Sequence, residues 1–296
     1  MTNSEALTLD AWRSRGTAFT YQGHDVFYVD EGSGDALVCI HGFPTASWDW
    51  AWIWEGLTSR FRVIAPDMMG FGFTAKPPHY TYSLKDQATL HESLLGELGI
   101  KRAHFLCHDY GDTVGQELLA RDAEGKLDFE IRSMCFLNGG IIPGEHRPRV
   151  MQRLLISPLG FLVGRLMTEE RFNTSFSEIF GSNTKPSAEE LHDFWTLVAH
   201  NDGPRVAHKL IRYMKERIQN KDRWVGALQK TTRPIRFVNG PDDPVSGRHM
   251  ADMYAELVPD PDVVFLEGIG HYPQVESPDG TLQAFWEFIS RAESQD

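Results

Sequence analysis

The chain is short of cysteine, and that shortage limits the compartments in which it is expected. Its 296 residues include three cysteines, Cys39, Cys107 and Cys135. Each lies within or at the end of an apolar stretch. An odd number of buried cysteines favours free thiols over a disulfide framework, which is typical of a reducing compartment. We therefore predict a cytoplasmic location.

Basic residues and long apolar runs are also scarce. There are 29 Lys and Arg against 41 Asp and Glu, so the net charge is −12, and no basic run offsets it. This balance argues against a nucleic-acid partner. The apolar runs are strand-sized, far below the roughly 20 residues of a membrane span. The segment Met1–Ala6 has neither the basic nor the apolar region of a secretory signal, so we expect no such leader.

Signals for cofactors are missing as well. No His, Cys or Glu spacing typical of a metal site is present, and no phosphate-cradling glycine loop precedes a helix. We therefore expect neither a metal nor another cofactor. What the chain does have is 41% apolar residues, enough to build a sizeable core.

The apolar pattern alternates between strands and helices and then changes. Residues 17–30 resemble a hairpin, short β-branched runs follow at 37–40, 61–65, 103–107 and 131–137, and residues 83–98 have helical spacing. Such alternation predicts an α/β fold with a mostly parallel, doubly wound sheet. From 142 to 230 we find helical stretches and no strand signal, and strands resume at 234. We predict that 142–230 is a helical cap inserted into the sheet domain.

One hexapeptide carries the strongest functional signal: Leu106-Cys107-His108-Asp109-Tyr110-Gly111. It follows a predicted strand and opens a predicted helix, and the small residues Cys107 and Gly111 lie two positions either side of Asp109. This pattern is typical of a nucleophile elbow, a tight strand-turn-helix whose apex is usually Ser. An aspartate there would attack an sp³ carbon and form an alkyl ester. The competing interpretation is that Asp109 is simply the N-cap of the helix.

Three further segments occur in an informative order. His41–Pro44, Phe237–Pro244 and Gly268–Pro273 each follow a predicted strand. A nucleophile, then an acid, then a histidine is the order found in α/β-hydrolases. Together with the elbow, these segments favour the nucleophile interpretation of Asp109 over the N-cap.

On these motifs, and on residues 67–74, the chain resembles the epoxide hydrolase and haloalkane dehalogenase branch of the α/β-hydrolases over residues 17–292. A more specific similarity to the mesoderm-specific transcript family of vertebrates lies in shorter segments: 108–112, 138–141, 201–203, 223–228 and 240–245. The resemblance implies an α/β-hydrolase fold. It divides the chain into a core domain of residues 1–141 and 231–296 and a helical cap of residues 142–230.

The resemblance also implies roles for individual residues. Asp109 is the expected nucleophile and His271 the base that activates water. The family pattern selects Asp243 as the acid that orients His271, although Asp242 fits the Pro-Asp-Asp-Pro turn equally well. The backbone amides of Phe43 and Tyr110 occupy the positions of an oxyanion hole.

Two histidines near these motifs are expected to be structural. We predict that His41 braces its loop by hydrogen bonding and that His108 points away from the apex. Asp112 departs from the family pattern, which usually has a small residue there.

The cap is expected to decide the substrate. Epoxide opening needs an acid, and family members use cap tyrosines for it. The cap has one tyrosine, Tyr213, which we predict to be that donor, although a purely structural core aromatic would also fit its position. Because a second tyrosine is missing, His146, Trp195 and His200 are further donor candidates, and we expect Trp195 and His146 to contact substrate.

An epoxide hydrolase acting on a small apolar epoxide is therefore the leading hypothesis. A haloalkane dehalogenase would need halide-binding N–H groups where Tyr110 and Phe43 stand. Two hypotheses of different classes also compete with it: an ester or lactone hydrolase, and a catalytically silent binding protein on the same fold.

Overall fold

A computed structural model of the protein describes residues 7–294. The segment Met1–Ala6, on which the expectation of no secretory leader rests, lies outside the described residues. No helix among the described residues is both long and apolar enough to cross a membrane.

The strands form one eight-stranded sheet. In chain order, β1 to β8 are Thr17–Tyr21, His24–Gly32, Ala36–Ile40, Arg62–Pro66, Arg102–Cys107, Glu130–Phe136, Ile235–Asn239 and Val263–Phe265. Their order across the sheet is β1-β2-β4-β3-β5-β6-β7-β8. The first two pairs are antiparallel, and every pair from β4 to β8 is parallel. The predicted mostly parallel sheet is confirmed.

Helices connect and cover the strands. In chain order, α1 to α14 are Leu9–Arg15, Trp54–Thr58, Leu84–Glu97, Tyr110–Ala123, Val150–Leu155, Gly160–Arg165, Glu169–Ser177, Ala188–Ala199, Ala207–Leu210, Tyr213–Gln219, Lys221–Lys230, Arg248–Leu257, Pro273–Glu276 and Pro278–Glu293. Two short 3₁₀ helices, Ser47–Trp50 and His200–Arg205, complete the described elements.

The two faces of the sheet explain its doubly wound form. Along β3, Val38 and Ile40 join one buried apolar cluster, with residues of α3, α4 and α11, while Leu37 and Cys39 join another, with residues of α1 and α14. Successive strand residues point to opposite faces, so a strand covered on both sides must be apolar at every position. All five residues of β3 are buried accordingly.

The helices α5 to α11 all lie between β6 and β7, and residues 137–234 contain no strand. We call residues 142–230 the helical insertion. Its helices are mostly short, from four to twelve residues. Because β6 and β7 are hydrogen-bonded neighbours, the insertion leaves and re-enters the sheet at adjacent positions. Its standing as a separate cap domain with these boundaries stays a prediction.

Candidate active site

Asp109 lies at the sharp turn between β5 and α4. Its backbone has φ 45° and ψ −101°, a conformation that is rare for a residue other than glycine and is found most often at functional sites. The turn is possible because its neighbours are small. A Cβ atom at Gly111 would stand 2.2 Å from the carbonyl oxygen of Ile40. The elbow therefore holds the Asp109 side chain at the carboxyl end of the sheet.

One of the two predicted oxyanion donors contacts the Asp109 carboxylate. The backbone amide of Phe43 donates a hydrogen bond to Oδ2 at 3.2 Å. Among the described residues, the Tyr110 amide has no such bond to Asp109. The loop after β3 thus aims an N–H group at the position where a tetrahedral intermediate would carry its charge.

His271 and Asp243 form a buried pair. Nδ1 of His271 lies 2.7 Å from Oδ2 of Asp243, which also accepts hydrogen bonds from the amide and hydroxyl of Ser246 and from the side-chain amide of Asn138. The competing acid, Asp242, is exposed to solvent. Only Asp243 of the two is positioned to orient the imidazole.

The charges of the site shift three pKa values. Burial alone would raise the pKa of Asp243, but the charge of His271 and the hydrogen bonds outweigh burial and lower it. Burial would lower the pKa of His271, whereas the Asp243 and Asp109 carboxylates together raise it. Asp109 itself is buried, and Arg217 and His271 nevertheless hold its pKa below the usual value. The Asp109 side chain is therefore a carboxylate at neutral pH.

Arg217 is a further charged residue of the candidate site, and no sequence motif marks it. It lies on α10 and is almost fully buried. Its Nη2 donates to the backbone carbonyl of Asp109 at 2.7 Å and lies 3.5 Å from Oδ1 of the same residue, while Nε donates to the hydroxyl of Thr113 at 2.7 Å. The insertion thus places a positive charge beside the Asp109 carboxylate.

Asp112 is the second unexpected feature. It is fully buried, and neither carboxylate oxygen has a hydrogen-bond partner among the described residues. A Cβ atom at Gly139 would stand 2.2 Å from Oδ2 of Asp112 and 2.6 Å from Cα of Asp109. Gly139 therefore lies against both aspartates, with no space there for a side chain. Burial, and the nearby charge of Asp109, raise the pKa of Asp112 well above its usual value. Asp112 is therefore a buried carboxyl group whose ionisation the fold disfavours.

A largely apolar cavity opens above Asp109 and His271. It has a volume of about 780 Å³, including space open to solvent. Its floor is formed by core residues: Phe43, Pro44, Asp109, Val245 and His271. Its roof comes from the insertion: Arg149, Met151, Gln152, Leu155, Met167, Phe172, Ser175, Phe176, Ile179, Val198 and Ala207.

The predicted cap residues lie outside the lining of this cavity. Tyr213 is buried, with its ring 5.7 Å from that of Phe43 and 5.1 Å from that of Tyr110. His146 borders a different pocket, on the side of Arg217. Trp195 packs against Phe172, at 5.6 Å between ring centres. His146, in the loop before α5, and Trp195, on α8, are both absent from the lining of the cavity, so their positions do not support direct substrate contact.

The two histidines expected to be structural are fully buried and hydrogen-bonded. Nε2 of His41 accepts from the amide of Met68 and its Nδ1 bonds the carbonyl of Gly42, which braces the loop that carries Phe43. Nε2 of His108 bonds the backbone carbonyl of His271 at 2.8 Å. His108 thus links the turn between β5 and α4 to the loop that carries His271.

One group of described residues has a geometry that could hold a metal ion. The ligand atoms of Asp35, His104 and Glu293 lie within 4.8 Å of one another. Asp35 precedes β3 and is already paired with Arg102 and Arg132. The group lies at the amino-terminal edge of the parallel strands, away from Asp109, so it is not part of the candidate active site.

Comparisons with known proteins assign the family. A model of the alpha/beta hydrolase family matches residues 37–284. This chain belongs to the alpha/beta hydrolase family. The chain is also similar to the mesoderm-specific transcript homolog protein of Homo sapiens, with 44% identity over 95% of this chain and 88% of that protein.

Solved structures support the same fold. The haloalkane dehalogenase DbeA from Bradyrhizobium elkani USDA94 has a TM-score of 0.79 at 24% identity, covering 95% of this chain and 99% of that one. The epoxide hydrolase CorEH has a TM-score of 0.73 at 20% identity, covering 93% and 98%. The predicted α/β-hydrolase fold is therefore confirmed.

Proposed function

We propose that this hydrolase opens small apolar epoxides to vicinal diols through an alkyl ester on Asp109. The observation that carries the proposal is the carboxylate at the apex of the elbow, with the Phe43 amide on one oxygen and His271 in the same cavity. A carboxylate can displace an oxygen from an sp³ carbon, and the ester that results must then be hydrolysed.

In the first step, one Asp109 oxygen attacks an epoxide carbon, the carbon–oxygen bond of the ring breaks, and the ring oxygen leaves as an alkoxide. The alkoxide needs a proton. Tyr213 is the proposed donor. It does not itself line the cavity, but its ring packs against Phe43, which does, and lies 4.5 Å from the Arg217 guanidinium that contacts Asp109. Burial, together with the charge of Asp109, raises the pKa of Tyr213, so the phenol keeps its proton until the alkoxide forms.

In the second step, His271 removes a proton from water, which attacks the ester carbonyl of Asp109. The developing oxyanion is stabilised by the Phe43 amide, and Asp243 stabilises the imidazolium. Breaking the acyl–oxygen bond expels an alkoxide, which takes the proton of the newly added hydroxyl, so that the diol is released and the carboxylate is restored. The proton held by His271 returns through water to the Tyr213 phenolate, which closes the cycle. Arg217 then pairs again with an ionised Asp109.

The cavity favours an apolar substrate. Its roof is dominated by Met, Leu, Phe and Val side chains, and its one arginine, Arg149, is paired with Glu178. A haloalkane dehalogenase would need N–H donors for a halide, such as indole groups, and among the described residues no Trp or Asn lines this cavity. Dehalogenation is therefore the weaker candidate.

A substrate panel tests the proposal. Epoxides, chloroalkanes and aryl esters should be offered to the wild type and to Asp109→Ala. We expect diol formation from epoxides by the wild type and none by the variant. Halide release without epoxide turnover, or ester cleavage that survives in Asp109→Ala, would overturn the proposed function. No turnover of any class by the wild type would favour a silent binding protein.

Tyr213→Phe sharpens the test. The substitution keeps the ring and removes one hydroxyl, so the melting temperature should barely change. We expect alkylation of Asp109 to slow by about 10²–10⁴, because the alkoxide develops in that step, while hydrolysis of the ester keeps its rate. Single-turnover kinetics separate the two steps. An unchanged alkylation rate would contradict the donor role of Tyr213.

A further inference from the structure

The exposed large apolar side chains of the described residues all lie in the helical insertion. Most belong to α5, α6 and their junctions: Val150, Leu154, Leu159, Phe161, Leu162 and Leu166. Leu159 and Leu166 are 61% and 65% exposed. We call residues 147–166 the α5–α6 segment. A group of exposed large apolar side chains within one short segment is typical of a site of interaction.

The charge of this segment is opposite to that of the whole protein. Residues 146–168 contain no Asp or Glu, in a chain of net charge −12. They contain four arginines, of which Arg149 pairs with Glu178. Arg147, Arg153 and Arg165 are exposed and form no ion pair with any described residue. The segment therefore presents unpaired positive charge beside its exposed apolar groups.

Neighbouring helices add to this charge. The exposed residues Arg212 and Lys215 line one surface pocket together with Phe161 and Pro158 of the segment. Lys215 also borders a pocket with Ile218, which is 65% exposed. Cationic and apolar side chains thus lie together at these two pockets, whereas Glu170 and Glu178 border Val150 and Leu154 at the other side of the segment.

The same segment forms part of the roof of the candidate active-site cavity. On α5, Val150 and Leu154 face outward, whereas Met151 and Leu155 line the cavity above Asp109. Whatever covers the outer face of α5 therefore lies directly against the roof of the cavity.

We propose that the α5–α6 segment docks on the surface of an anionic phospholipid bilayer, where an apolar substrate dissolved in the membrane could reach the cavity. Apolar side chains of a short helix enter the boundary between headgroups and acyl chains, and flanking Arg and Lys meet the lipid phosphates. A second copy of the chain fits less well. A two-fold interface apposes the same patch of both copies and would bring the unpaired arginines together.

Vesicle co-sedimentation of the full chain tests this without reference to catalysis. We expect binding to vesicles of phosphatidylcholine and phosphatidylserine in equal parts, weak binding to phosphatidylcholine alone, and loss of binding as salt rises. Leu159→Ser with Leu166→Ser should weaken binding about tenfold, since both side chains would enter the bilayer. Arg153→Gln with Arg165→Gln should weaken it roughly 20-fold at low salt.

Lys101→Gln with Lys126→Gln is the matched control. It removes the same charge from two exposed residues at the opposite end of the sheet, before β5 and β6, and should leave binding unchanged. Equal loss in the control and the arginine variant would contradict a specific surface, as would failure to bind anionic vesicles. A dimer in solution that dissociates in the leucine variant would assign the surface to a second copy instead. Turnover of soluble epoxides should be unaffected in every variant, so failure of docking is distinguishable from failure of the proposed function.

Discussion

The floor and the roof of the cavity are built by different means. Asp109 and His271 of the floor, and Asp243 behind His271, each follow a parallel strand, and all three are buried and held by hydrogen bonds. The roof consists of short helices joined by loops, whose side chains meet the cavity through apolar packing. The ends of the strands thus position the candidate catalytic side chains, whereas packing of the short helices sets the shape of the cavity. Arg217 departs from this division. It belongs to the insertion, and yet it donates a hydrogen bond to the backbone carbonyl of Asp109.

We expect the largest effect on turnover from a substitution at Asp243, the hydrogen-bond partner of His271. Asp243→Asn should lower turnover by about 10⁴-fold, because the amide favours the wrong imidazole tautomer and cannot stabilise an imidazolium. Asp242→Asn is the control and should stay within several-fold of the wild type, since Asp242 is exposed. Steady-state kinetics on a confirmed substrate measure both. The reverse ranking would transfer the role of the acid to Asp242.

Arg217→Met tests the contact between the helical insertion and Asp109. Without the guanidinium, burial should raise the pKa of Asp109, so less carboxylate is ionised at a given pH. We expect alkylation to slow by about 10- to 100-fold near neutrality, with the acid limb of its pH profile moved to higher pH. Arg212→Met, an exposed arginine shortly before on the same chain segment, is the control. A profile that coincides with that of the wild type would show that Arg217 only packs.

Asp112→Asn should have the smallest effect, on stability and not on turnover. The folded-state pKa of Asp112 is raised, so its carboxyl group resists ionisation when folded but ionises freely when unfolded. This costs stability above the unfolded pKa of about 4, and the cost grows as pH rises toward the folded pKa. The variant should therefore match the wild type near pH 4 and exceed it by about 1–2 kcal/mol at neutral pH.

Thermal unfolding across pH measures this difference. Asp128→Asn, at an exposed position, is the control and should show no pH-dependent gain. A variant less stable than the wild type at neutral pH would mean that Asp112 is ionised and paired in the folded protein.

The floor could be predicted from sequence because each of its residues sits in a short motif at a strand end. Asp109, for example, is marked by small neighbours within two positions, and the sharp turn requires them. The roof could not be predicted in the same way. Trp195 lies on a helix of the insertion and His146 in the loop before α5. The direction in which each side chain points depends on how these short elements pack, and no local sequence pattern encodes that packing.

Arg217 was missed for a related reason. Its partners, Asp109 and Thr113, are more than 100 residues away in sequence, and nothing around it forms a motif. The one available signal was its position four residues after Tyr213, which places both on the same face of a helix. The guanidinium indeed lies over the Tyr213 ring.

The mass of the enzyme trapped between its two steps most directly tests whether Asp109 is the nucleophile. In His271→Gln, attack by Asp109 on an epoxide that the wild type turns over should proceed while hydrolysis stalls. Intact mass should then rise by one substrate molecule, and digestion should place the adduct on the peptide that contains Asp109. Asp109→Ala in the same background should abolish it. An absence of any adduct, or an adduct on another peptide, would contradict Asp109 as the nucleophile.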